Sequence, residues 1–299
     1  MIVVAGESLI DLVPHAEGTG LAPLLPRLGG GPYNTAVALG RLGAPVAFCS
    51  RMSTDGFGDA LLAGLHGAGV DTSLVVRGPE PTTLAVATVG ADGSAGYTFY
   101  AEGTADRLFE LPPSLPPQVR AVALGTCSLV LEPAATDYET LLRREARRGL
   151  VTLLDPNVRP GLIPDPDAYR KRFSSWLPDV SLLKLSEEDA HWLGGVPQGP
   201  GAVVLTRGGA GLTVWTRHGV EVSVPATAVK VVDTIGAGDT VNAALLHALA
   251  VRDALSPHAL SALDADGWRE VLEFAARAAA VTCSRSGAQP PYAHELGGS

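Results

Sequence analysis

The stretch Val231-Val-Asp-Thr-Ile-Gly-Ala-Gly-Asp-Thr-Val-Asn242 reads as a short apolar strand ending at Asp233, a turn of small residues, and an apolar helix over 241–251. Gly236 and Gly238 permit a tight turn, because glycine adopts backbone angles closed to other residues. Such a turn at a helix start leaves several N–H groups without carbonyl partners. With the positive end of the helix dipole, those groups form a site for an anion. Asp239 stands inside that site, where a bound phosphate would repel it. Its presence is explained if it takes a proton from an incoming hydroxyl. The plain alternative is a first-turn acid that completes the helix dipole. The pattern is not the phosphate loop G-x-x-x-x-G-K-[ST], because no Lys followed by Ser or Thr stands in register.

Outward from this segment, short apolar runs alternate with amphipathic stretches. Strands are predicted at 2–5, 45–50, 121–124, 151–154, 182–185 and 203–206, and helices at 33–42, 57–67, 137–148, 168–176 and 187–193. This rhythm predicts an α/β fold, a doubly wound and mostly parallel sheet with helices on both faces. One region breaks it. Residues 82–89 and 95–100 read as a hairpin turning at Asp92-Gly93. Together with 12–28 they would form a small antiparallel sheet standing over a cleft; the alternative is an edge hairpin. The 299 residues are thus expected to be one domain with a small β lid built from about 12–28 and 82–101.

Hydrophobic residues make up 46% of the chain, enough for a sizeable core, and the formal net charge is −9. Nucleic-acid binders need a basic face to replace counterions, and only Lys171, Lys184 and Lys230 occur among the lysines. Nucleic acid is therefore set aside, and a phosphorylated ligand must be held by local donors. Cys49, Cys127 and Cys283 are too far apart for a C-x-x-C motif, which argues against a disulfide scaffold or a zinc site. The opening Met1-Ile-Val-Val-Ala-Gly-Glu7 lacks a basic signal-peptide start, and no charge-free apolar run of about 18 residues appears. A cytoplasmic protein without a membrane span is expected.

Three further segments carry chemistry. In Gly29-Gly-Gly-Pro-Tyr-Asn-Thr-Ala36 the glycines let a ligand approach the backbone, and Asn34 offers both donor and acceptor to a polyol. It could also be a helix-entry loop with Asn34 in water. Leu154-Asp-Pro-Asn-Val-Arg-Pro160 sits at the carboxyl end of a buried strand, where open parallel sheets place their ligands; a turn with a surface Arg is the alternative. Leu205-Thr-Arg-Gly-Gly-Ala-Gly211 is a strand followed by a glycine-rich loop, suited to a nucleotide phosphate or to a plain hairpin entry.

In this combination and order the four segments resemble the ribokinase-like family of carbohydrate kinases, most of all its fructokinase branch, over residues 6–290. Residues 233–239 match the family's most specific signature and 29–34 its first. Asp55-Gly-Phe-Gly58 and Arg285-Ser-Gly-Ala-Gln-Pro290 resemble two further motifs. The resemblance implies transfer of the γ-phosphoryl group of ATP to a primary sugar hydroxyl. It implies Asp239 as the base, with Gly236, Ala237 and Gly238 presenting N–H groups to the transferring phosphoryl. Asp11, Gly30, Gly31, Asn34, Tyr100 and Arg159 would bind the sugar. Lys184, Ser186, Thr206, Arg207, Gly208, Gly209 and Gly211, with Gly238, would bind the nucleotide. Mg²⁺ would accompany ATP, reached by Asp189 through water. K⁺ would sit beside the anion site, on Asp233 and carbonyls at Ile235, Thr282, Arg285 and Gly287.

The chain departs from the family in places. Ser186-Glu-Glu-Asp189 stands where Asn-x-x-Glu is common, although Lys184-Leu-Ser186 resembles the variant of fructokinases. Pro291 stands where a serine cation ligand is often found. The stretch 96–106 resembles the lid-to-core stretch of fructokinases. It carries Ala101-Glu102 where relatives acting on acidic sugars have a basic residue. A buried carboxylate without a cation costs several kcal/mol, so fructose is the expected sugar, ahead of 2-keto-3-deoxygluconate or ribose. The non-enzyme alternative is a sugar or nucleotide sensor on the same fold. A Rossmann dehydrogenase is disfavoured, because the first strand runs into Gly6-Glu-Ser-Leu and not G-x-G-x-x-G. An exposed lid sheet could pair across a two-fold axis into a homodimer.

Overall fold

Val3, Val4 and Ala5 are all buried, as a strand covered on both faces of an α/β sheet requires. The computed structural model describes residues 1–15, 23–89 and 95–297. In chain order the strands are β1 (Ile2–Ala5), β2 (Leu9–Pro14), β3 (Leu24–Gly29), β4 (Val46–Ser53), β5 (Asp71–Gly78), β6 (Thr83–Val89), β7 (Ala95–Tyr100), β8 (Ala121–Gly125), β9 (Val151–Asp155), β10 (Leu182–Ser186), β11 (Ala202–Thr206), β12 (Leu212–Thr216) and β13 (Glu221–Val224). The helices are α1 (Gly31–Arg41), α2 (Gly56–Gly67), α3 (Ala134–Arg147), α4 (Pro166–Trp176), α5 (Glu187–Leu193), α6 (Ala237–Val251), α7 (Pro257–Ser261) and α8 (Ala265–Cys283).

Nine strands form one sheet in the order β13-β12-β11-β10-β9-β8-β1-β4-β5. From β11 to β5 every pairing is parallel, and β12 and β13 add an antiparallel edge. Side chains alternate between the faces, as the two-residue period of a strand dictates. Ile2, Val4, Ala121 and Ala123 pack with α1, α2, α6 and α8 in one core. Val3, Ala5, Val122 and Leu124 pack with α3 and α4 in the other. Trp268 of α8 and Trp176 of α4 are fully buried, one in each core. The expected doubly wound architecture is present.

The small sheet has the order β3-β2-β6-β7. It is mixed, not antiparallel: β2 pairs parallel with β6, between two antiparallel pairs. The reason is topological. Both strands leave the main body in the same direction, β2 directly after β1 and β6 directly after β5. The expected turn at Asp92-Gly93 lies outside the described residues. Asp55 fastens this sheet to the body: its carboxylate accepts from Gly58 N at the start of α2 and from Thr82 N and Oγ1 at the start of β6.

The strand expected to end at Asp233 does not form. Val231 and Val232 are 59% and 58% exposed, and the edge strand is β13, further back. Val232 N and Asp233 N donate instead to Cys283 O at the end of α8. Strand β5, the β12–β13 edge and α8 are elements that the alternation of apolar runs did not reveal. Among the described residues, no helix is long and apolar enough to cross a membrane.

Candidate active site

A cavity of about 240 Å³ opens between the carboxyl ends of the central strands and the small sheet. Asp11 from β2, Asn34 from α1, Arg159 from the loop after β9, Lys184 from β10 and Asp239 from α6 all line it. Tyr97 and Phe99 of β7 close it from above. Asn34 Nδ2 donates to Asp239 Oδ2 at 2.9 Å, which ties the first helix to the carboxylate 205 positions later. Burial pushes Asp239 up to about 7, with the Asn34 hydrogen bond and the Lys184 and Arg159 charges opposing the shift. A carboxylate poised near neutral pH is suited to accept a proton from a hydroxyl. Burial likewise pushes Asp11 up to about 6, against the pull of Arg159. Arg159 is itself aimed by Asn157, whose Oδ1 accepts from its Nη1 at 2.7 Å.

The loop before α6 is fixed from both sides. Gly236 has φ +76°, and a Cβ there would lie 2.6 Å from Ala288 Cβ, so only glycine fits. The Asp233 carboxylate accepts from Ile235 N at 3.0 Å and from Gly287 N at 2.8 Å, stitching this loop to the one after α8. Ala237 N is turned back to Thr234 O at 3.2 Å. Thr282 is fully buried and shares a 2.8 Å hydrogen bond with Thr240. Arg285 pairs with Glu295.

A second cavity, about 470 Å³, is walled by Thr206, Gly208, Gly209 and Gly211 and by the partly exposed Val229 and Val231. Thr234 and Gly238 line both cavities. The two spaces therefore meet at the glycine turn before α6, one polar and one largely apolar.

The pattern of the pfkB family of carbohydrate kinases matches residues 1–295. The chain belongs to that family. It is 36% identical over 282 residues to a fructokinase of Rhizobium leguminosarum bv. trifolii, covering 90% of this chain and 86% of that protein. It is 33% identical to fructokinase-1 of Zea mays, covering 97% of this chain and 94% of that one. Its fold is similar to a crystal structure of fructokinase with bound ATP from Xylella fastidiosa, with TM-score 0.87 and 28% identity over 99% of this chain and 97% of that chain.

In this carbohydrate kinase, Asp11, Gly30, Gly31, Asn34 and Arg159 come together around the first cavity, and Thr206, Gly208, Gly209 and Gly211 around the second. Tyr100 does not join them: it is 61% exposed and lines neither cavity. Along β7 the two-residue period turns Tyr97 and Phe99 inward and Tyr100 outward. Lys184 lies in the first cavity, not the second. Ser186 and Asp189 line neither. They form a capping box at the start of α5: Asp189 Oδ2 accepts from Ser186 N and Oγ, and Oδ1 accepts from Val158 N. Arg207 stacks over Trp215 at 5.7 Å.

Several residues and contacts around the pocket were given no role by the sequence reading. Glu7 is fully buried at the pocket floor and accepts from Thr126 and Ser128. Asp155 and Asn242 meet beneath Lys184. A charged residue at the end of a mostly apolar, fully buried strand, as in Val151–Asp155, is the signal that marks Asp155. Tyr97 and Phe99 are found by counting alternation along 95–100.

Proposed function

We propose that this kinase transfers the γ-phosphoryl group of ATP to the primary hydroxyl of a neutral hexose, fructose before others. The observation that carries the reading is that the two cavities meet at Thr234 and Gly238, with Asp239, next in the chain to Gly238, lining the first. ATP would lie along the glycine-rich wall, its base against Val229 and Val231. Its terminal phosphate would reach the start of α6, where first-turn amides and the helix dipole favour an anion. The sugar would lie in the first cavity on Asp11, Asn34 and Arg159. Its hydroxyl would give its proton to Asp239 as the oxygen attacks phosphorus. Positioning and charge stabilisation do most of the work in such a transfer.

The small sheet would act as the lid, with Tyr97 and Phe99 excluding water, which otherwise competes as acceptor. The whole chain would work as one kinase unit, and pairing of two lids would give a homodimer. Mg²⁺ would arrive with ATP and neutralise its phosphates. Among the described residues, no cluster of three His, Cys, Asp or Glu side chains could hold a metal ion, and the Asp189 oxygens already accept from protein donors. The protein would thus leave most of the ion's coordination to phosphate and water.

The fructose assignment rests on the fructokinase relatives and on the chemistry of the pocket. Arg159 favours a second reading, an acidic sugar such as 2-keto-3-deoxygluconate, because it brings a cation to the cavity. It faces Asp11, however, which already supplies a carboxylate. ADP release with ATP, Mg²⁺ and a panel of fructose, ribose and 2-keto-3-deoxygluconate decides between them. The expected result is the highest kcat/KM on fructose. A tenfold advantage for the acidic sugar would establish the second reading, and no ADP release with any sugar would remove the kinase reading.

A further inference from the structure

Strand β10 is apolar up to its last residue, Ser186, except for one side chain that reaches the site. Leu182, Leu183 and Leu185 are fully buried, and Lys184 between them is only 4% exposed. Its Nζ donates to Asp155 Oδ2 at 2.8 Å. Asn242 Nδ2, from α6, donates to the same oxygen at 2.7 Å. Asp155 ends β9 and is 2% exposed. Burying this pair costs free energy that apolar side chains in its place would not. A charge retained under that cost needs a task, and the position of the ammonium supplies one. A Cβ on Gly238 would lie 2.9 Å from Lys184 Nζ, so the charge sits directly against the anion-binding turn. An ammonium has three donors, and Asp155 is the one acceptor that the described residues offer it.

We propose that Asp155 is a positioning residue for phosphoryl transfer: it holds the Lys184 ammonium against Gly238, where that charge meets the transferring phosphoryl group. The proposal rests on the kinase reading above and assigns to Lys184 the reacting group, not the remainder of the nucleotide. A phosphoryl group in transfer spreads negative charge over three oxygens. A cation already fixed beside them stabilises that charge without reorganisation. Asn242 makes the arrangement rigid, since it belongs to the same helix whose first turn carries Gly238 and Asp239.

The charged groups facing Lys184 are Asp155, Asp189 and Asp239, and Arg159 shares its cavity. Burial pushes the ammonium down, but Asp155 and the other two carboxylates outweigh it and hold Lys184 above its ordinary value. The wild-type ammonium therefore stays charged across the neutral range.

The test is Asp155→Asn, which keeps the shape and removes the charge. It is expected to lower kcat about 100-fold, with sugar KM within about threefold of wild type. It should also introduce a loss of activity on the basic side of the pH profile, because Lys184 loses its principal counter-charge. The paired variant Asp155→Asn with Lys184→Gln removes both charges and covers the case in which the single variant does not fold. It is expected to fold, to stay slow and to lack the new basic limb. Asp155→Asn within threefold of wild type, or recovery of wild-type turnover in the paired variant, would show that the pair merely balances buried charge and would overturn the proposal. Wild-type protein is run in the same assay, so failure of the kinase reading appears separately, as no ADP release before any substitution is made.

Discussion

Asn34 Nδ2 donates to Asp239 Oδ2 at 2.9 Å, so a residue of the first glycine motif stabilises the ionised carboxylate beside the turn before α6. This bond opposes the burial that pushes Asp239 up to about 7. Only the ionised carboxylate can take a proton, so activity falls as pH drops through about 7, and about a tenth should remain one unit lower. Removing the donor with Asn34→Ala leaves burial less opposed. The acid limb of the kcat/KM profile is expected to move to higher pH, with a raised sugar KM. An unmoved acid limb would separate Asn34 from the base.

The inward faces of β7 make a second prediction. Phe99→Ala opens the roof of the first cavity, the proposed sugar site, and should raise sugar KM about tenfold, because Phe99 lines it. Tyr100→Ala removes a side chain that is 61% exposed and should leave KM unchanged within about twofold. Equal effects of the two substitutions, measured as sugar KM at saturating ATP, would contradict the alternation described here.

The bond network of Asp233 motivates a third. Its carboxylate joins Ile235 and Gly287, the two loops expected to hold a monovalent cation. Titrating K⁺ into a sodium- and potassium-free buffer is expected to raise turnover. A flat response would show that the hydrogen bonds alone hold the loops, and Pro291 in the loop after α8 would be the first residue to replace.

The glycine-rich turns were legible because their chemistry is local: Gly236 needs a left-handed backbone whatever surrounds it. The parallel sheet was legible because β1 and β8 carry no polar side chain and β9, β10 and β11 are mostly apolar. Val231 and Val232 misled for the same reason. They look like a buried strand, but both are exposed and Val231 lines the second cavity, and an exposed apolar patch has the composition of a core. The structural role of Asp189 was not read from the sequence, because a carboxylate three residues after Ser186 suits a capping box as well as a water-mediated metal contact. The Asp155–Lys184–Asn242 cluster was invisible because its members lie 29 and 87 positions apart and meet only when β9, β10 and α6 pack.

The central claim is that Asp239 is the base, and Asp239→Asn tests it most directly. The folded protein holds the Asp239 proton more tightly than the unfolded chain does, so ionising it costs stability as pH rises through about 7. A shift from 3.8 to about 7 corresponds to about 4 kcal/mol. The neutral amide escapes that cost above pH 7, and Asn34 can still donate to it. The variant should therefore fold, melt a few degrees above wild type at pH 8, and bind ATP and sugar with nearly unchanged affinity. Its kcat for ADP release is expected to fall by about 10²–10⁴. A folded, ligand-binding Asp239→Asn protein that turns over within a few-fold of wild type would contradict the account.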